Sequence, residues 1–180
     1  MRTNRGLSTV VATVLLILLT VVAAGLILQF VVPFARDILF RAECTKYRGY
    51  FQFEDDFGFI CTNGTSHGVT IKSNSDNNLA EKVIGFDLLF VTNLTTSKTI
   101  SLRLGQNADE SFKMLNASKT KISIPTSGDI QTFVYYEKAD YIRVSVFPVI
   151  RKGDGDELVC EESDKISLKS CFPLNKLAIT

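Results

Sequence analysis

Four cysteines, at positions 44, 61, 160 and 171, are the side chains whose spacing most invites chemistry. None stands in a Cys-x-x-Cys pair and the one histidine is His67, so the sequence assigns no metal site of the usual zinc spacing. An even count in an exported region favours disulfides over free buried thiols. Of the three pairings open to four cysteines, Cys44–Cys61 with Cys160–Cys171 is the most local. His67 lies in Thr65-Ser66-His67 and reads as a solvent-exposed loop residue, with no Ser or Cys that spacing assigns to it as a nucleophile. No glycine-rich phosphate loop precedes a helix, and there is no Gly-x-Ser-x-Gly elbow. Asp154-Gly155-Asp156-Glu157 and the set Asn74, Asp76 and Asn78 lack the twelve-residue calcium loop with its terminal Glu, so both read as turns. Glu54-Asp55-Asp56 is another. No catalytic residue and no cofactor emerges, and an enzyme is the least supported class. Asn63, Asn93 and Asn116 each open an Asn-x-Ser/Thr triplet, the acceptor pattern for glycans in an exported chain.

The element that positions everything else is the run from Leu7 to Ala35. It carries no charge, and its polar residues are Ser8, Thr9, Thr13, Thr20 and Gln29. At 1.5 Å per residue it makes a rod of roughly 43 Å, longer than the apolar thickness of a bilayer at about 30 Å. Peptide groups in such surroundings must pair among themselves, which leaves helix as the conformation. Pro33 is expected to bend this rod or to mark its exit. Small residues four apart, Ser8 with Ala12, Thr9 with Thr13 and Thr20 with Ala24, are candidates for close helix–helix approach. The run is too long for a secretory h-region and no Ala-x-Ala precedes a polar start, so cleavage after it is not expected. Arg2 and Arg5 ahead of it favour a cytoplasmic N-terminus and an outside head.

The junction Arg5-Gly6 followed by Leu7-Ser8-Thr9-Val10-Val11-Ala12-Thr13-Val14 resembles the class III signal of archaeal type IV pilins and archaellins. The resemblance covers roughly Met1 to Phe34. It implies a cut between Gly6 and Leu7 by a membrane prepilin peptidase, after which the apolar helix stays on the mature protein and forms a filament core. Self-association through that helix, passage through the membrane before assembly, and handling by a pilus assembly machinery are implied with it. The fifth mature position is Val11, where bacterial members usually carry Glu, which points to the archaeal branch. Loss of Arg2 and Arg5 would leave 18 basic against 19 acidic side chains. Near-neutral charge gives no reason to propose nucleic acid as a partner.

Beyond the rod, aromatic and β-branched runs alternate with Gly, Asn, Asp and Ser. Strands are expected at Tyr47 to Phe53 and Phe57 to Cys61, as a hairpin about the acidic turn. Others are expected at Gly68 to Lys72, at Val83 to Val91 as a central strand, around Ile100 to Leu104, and at Ile122 to Ile124. Ile130 to Tyr136 and Tyr141 to Ile150 form the strongest pair, with a strand end or edge at Phe147-Pro148. Leu158 to Cys160, Lys165 to Leu168 and Leu174 to Ile179 complete the set. The expected fold class is α+β: a leader at 1–6, a hydrophobic helix at 7–42, and an extracellular β-sandwich-like, Ig-like head at 43–180. A filament subunit at the cell surface, with adhesion as a further role, is the expected function. An uncleaved membrane-anchored binding module and a minor pilin are the alternatives.

Overall fold

An apolar backbone without water must close its own hydrogen bonds, and the N-terminal run does so as a helix. The computed structural model describes residues 9–93, 96–108, 111–115, 121–153 and 155–171. Helix α1 spans Thr9–Leu26, a π-helical turn covers Ile27–Val31, and α2 runs Val32–Cys44 into a 3₁₀ turn at Thr45–Tyr47. Pro33 is not the exit, because the helix continues past it. The wide turn just before it explains why: Val32 N–H donates to Ile27 O, five residues back, which loosens the coil where the proline ring would crowd the preceding carbonyls. The chain separates into two compact units, Met1–Ala42 and Glu43–Thr180.

The second unit holds eleven described strands in two sheets. The first contains β1 (Phe51–Phe53), β2 (Cys61–Thr62), β3 (Ser66–Ser73), β6 (Phe112–Met114), β7 (Ile130–Tyr136) and β11 (Lys169–Ser170). Their order is β11-β2-β3-β7-β6, with β1 also on β3. The second sheet has β4 (Val83–Thr92), β5 (Ser97–Arg103), β8 (Tyr141–Arg151), β9 (Glu157–Val159) and β10 (Asp164–Ser167), ordered β10-β8-β4-β5 with β9 also on β8. All pairings are antiparallel except β11 with β2. The class is therefore α+β. A short helix, α3 (Asn77–Ala80), is capped by the Asp76 carboxylate, which accepts from Asn78 N–H.

Several sequence expectations are corrected here. No hairpin forms about Glu54-Asp55-Asp56; β1 and β2 both lie along one edge of β3, opposite Ser73 to Ile71 and Gly68 to His67. Tyr47, placed in a strand by its neighbours, closes the 3₁₀ turn. β7 and β8 do not pair with each other: residues 137–140 carry the chain from one sheet to the other. Both runs are apolar enough to sit centrally, and each does so in its own sheet. Pro148 is inside β8 rather than at its end. Its carbonyl accepts from Cys160 N–H, so its missing N–H faces the same edge, in the gap where β10 ends at Val146 and β9 begins at Val149. Ile122 and Ile124 are buried without belonging to a strand. The segment 174–179 lies outside the described residues.

One core joins both sheets. Phe51, Val69, Ile71 and Phe133 from the first meet Phe86, Leu88, Phe90, Val144 and Val146 from the second, all without exposed surface. Phe86 stacks edge-on against Phe51 at 5.1 Å and against Phe133 at 5.4 Å. Each such side chain contributes about 1.5–3 kcal/mol by leaving water.

The most local cysteine pairing does not occur. The disulfides are Cys44–Cys160 and Cys61–Cys171, at sequence separations of 116 and 110. The sheet order dictates this, because β11 lies beside β2 and brings Cys171 to Cys61. No free cysteine remains.

Candidate functional site

The feature that folding inside one chain leaves unexplained is the apolar helix. From Val10 to Tyr47 it is continuous and long and apolar enough to cross a membrane, and none of the residues in its most apolar window is buried. Leu19 is 72% exposed and Leu28 70%. A helix apolar on all sides needs lipid or other helices around it. Its hydroxyls are already closed: Thr13 Oγ1 donates to Val10 O at 2.9 Å and Thr20 Oγ1 to Ile17 O at 2.8 Å. At 3.6 residues per turn Thr13, Thr20 and Ala24 fall within about 40° of one another, while Ala12 lies roughly 100° from Thr13. The first three therefore line one strip of the helix and Ala12 does not. Thr9 begins α1. Gly6, Leu7 and Ser8, the cleavage junction and the first packing candidate, lie outside the described residues.

Where the helix ends, its last residues are fastened within the second unit. Cys44 is bonded to Cys160 just after β9, and Glu43 accepts from Lys82 Nζ at 2.5 Å. Next along the chain, Phe51 N–H donates to Ser163 Oγ at 3.1 Å and Phe53 N–H to Asp164 Oδ2 at 2.8 Å. These bonds join β1 of the first sheet to the start of β10 in the second.

The chemically richest cluster lies elsewhere in the head, and sequence reasoning missed it. His67 belongs to β3 and is wholly buried, not exposed in a loop. Its Nε2 donates to Glu137 O at 2.8 Å and its Nδ1 accepts from Thr62 Oγ1 at 2.8 Å, the arrangement a carbonyl partner requires of a neutral ring. Burial pushes the imidazole below its ordinary value, against the opposing pull of the Glu137 carbonyl and carboxylate and of Asp140. Tyr141 packs edge-on against the ring at 4.8 Å. Tyr135 and Tyr141 both donate their hydroxyls to Glu137 Oε2. The Tyr135 bond holds that carboxylate below its usual range, and burial followed by the Glu137 contact pushes Tyr141 up to about 12. Both ring nitrogens are committed to protein partners, so the cluster fastens the β2–β3 turn to the residues after β7. An alternating Ser-His-Gly-Val-Thr-Ile pattern, continued back from Gly68, is the signal that would have placed His67 in a strand.

The other sequence candidates are scattered over the head. Asn63 is exposed in the turn between β2 and β3, where its Oδ1 accepts from the N–H and hydroxyl of both Thr65 and Ser66. Asn93 is exposed after β4, with the rest of its triplet outside the described residues, as is Asn116. Among the described residues no group of three His, Cys, Asp or Glu side chains is placed to hold a metal ion. No protein-family model matches the chain, and no curated protein and no solved structure matches it. The helix and the disulfides therefore carry the functional argument. Two disulfides fit an extracytoplasmic head, and the apolar helix fits a membrane anchor or an export signal.

Proposed function

We propose that this protein is a structural subunit of an archaeal type IV pilus-like filament. The single observation that carries the reading is a helix with apolar side chains exposed on every side, directly preceded in sequence by Arg5-Gly6. In this reading a prepilin peptidase cuts between Gly6 and Leu7 while the helix is in the membrane. The assembly machinery then transfers it from lipid to a bundle of identical helices, so the partner is the chain itself. The head, taken as an Ig-like β-sandwich carrying glycans at Asn63, Asn93 and Asn116, faces outward and is available for adhesion. No cofactor and no catalytic step is involved.

The test is a peptide map with intact mass of the protein from the surface fraction of its host, beside a Gly6→Val variant. A mature start at Leu7 in sheared filaments, with uncut and filament-free Gly6→Val cells, is the expected result. A start at Met1 recovered only with membranes overturns the reading in favour of an anchored accessory domain.

A further inference from the structure

Between Val10 and Ala35 the helix has three polar side chains, Thr13, Thr20 and Gln29. Both threonines are satisfied by carbonyls of their own helix. Gln29 is exposed, has no side-chain hydrogen bond among the described residues, and is flanked by the exposed apolar residues Ile27, Leu28, Phe30 and Val31. An amide left unpaired in a dry medium costs roughly 2–7 kcal/mol, and acyl chains offer it neither donor nor acceptor.

A second observation falls on the same residue. Gln29 is part of the π-helical turn, and the N–H that an α-helix would aim at its carbonyl belongs to position 33, which is proline. Gln29 thus joins a carboxamide with no hydrogen bond among the described residues to a main-chain carbonyl whose i+4 position is proline, so that even with an i+5 bond of the kind seen at Ile27 the carbonyl keeps a lone pair for a neighbour. Donor and acceptor are mutually complementary between two copies of the same helix, and neither is complementary to lipid.

We propose that Gln29 is the hydrogen-bonding contact between helices of neighbouring copies of this chain. Its carboxamide donates to the main-chain carbonyl of the neighbour's π-helical turn and thereby sets the axial register of the pair. The inference rests on reading the helix as one that packs against copies of itself. It adds which residue specifies that packing, in the way a lone polar residue fixes register in a coiled coil. Apolar contact alone would let the helices slide.

The experiment is resonance energy transfer between head-labelled full-length chains in phosphatidylcholine vesicles, titrated by chain density. Gln29→Leu is more apolar than the native residue and inserts at least as well, so lost insertion cannot mimic lost association. Interhelical hydrogen bonds of this kind are worth about 0.6–1.7 kcal/mol, so Gln29→Leu is expected to weaken association about 3- to 15-fold. The double change Leu28→Gln with Gln29→Leu keeps the amide but turns it roughly 100° around the helix, and is expected to associate as weakly. Equal or tighter association of Gln29→Leu, rescue by the displaced amide, or a native chain monomeric at every density each overturns the proposal. Its failure is separable from that of the filament reading. Filaments starting at Leu7 with Gln29→Leu packing unchanged would sink the register contact alone. Density-dependent association of chains that start at Met1 and never leave the membrane would sink the filament alone.

Discussion

His67 meets water nowhere, and each of its ring nitrogens is bound to a different part of the head. Burial disfavours the charged imidazolium, and a proton on Nδ1 would also take away the acceptor of the Thr62 hydroxyl. The folded protein therefore resists the proton that the unfolded chain takes up near pH 6.5. The folded value lies below the unfolded one, so the unfolded state binds more protons between them. Stability is accordingly full above pH 6.5 and falls as pH drops toward the folded value. Urea unfolding of the full chain in detergent, followed by tyrosine fluorescence, should lose up to about 1.4 kcal/mol per pH unit on acidification below 6.5. His67→Gln, whose amide can still donate to Glu137 O, should flatten that slope. Parallel slopes for the two proteins would mean that His67 does not titrate with folding. Measurements above pH 5 keep the result clear of Glu137, whose lowered value moves its own loss of stability below 4.5.

Among the elements, β4 shows how tightly register is held. Its pairing with β8 shifts between Val83 and Gly85, and at Gly85 the β5 backbone comes so close that a Cβ would overlap Leu102 O. Gly85→Ala must push β5 away or undo the bulge, with an expected loss of about 3 kcal/mol and a melting point lower by roughly 10 °C in a thermal scan. A change below 2 °C would show that β5 yields freely. Gly85 also marks what the sequence could and could not disclose. Long runs such as those of β4, β7 and β8 stood out because apolar and β-branched residues persisted over seven or more positions. The three-residue β6 and two-residue β11 carry no periodicity and exist because a neighbouring edge was open. The false hairpin at Glu54-Asp55-Asp56 arose from local turn chemistry, which cannot tell two strands facing each other from two strands sharing a third. Of the candidate site, the exposed helix was legible from its lack of charge. The π-helical turn and the disulfide pairing depended on backbone placement that spacing does not encode.

For the whole molecule, the two units are stabilised by different means. The head has a core drawn from both sheets, and Cys44–Cys160 and Cys61–Cys171 tie its C-terminal strands back to its N-terminal segment. Either bond closes a loop of more than a hundred residues, which restrains the unfolded chain strongly and is worth about 2–4 kcal/mol. The helix, by contrast, has an apolar window in which no residue is buried. A chain beginning at Glu43 keeps all four cysteines and every strand. It should be a monomer in detergent-free buffer at about 100 µM, since the long run of exposed apolar side chains has gone with the helix. Its melting point should lie within about 5 °C of the full-length head in detergent, and peptide mapping should recover the same two disulfides. Ultracentrifugation and a thermal scan decide the matter. Aggregation or an unfolded product would mean that the helix completes the head's core, which would remove the argument that its apolar surface is kept for other copies of the chain. A folded monomer would leave that surface with no role inside the protomer, so that its ordered burial has to come from lipid or from other helices.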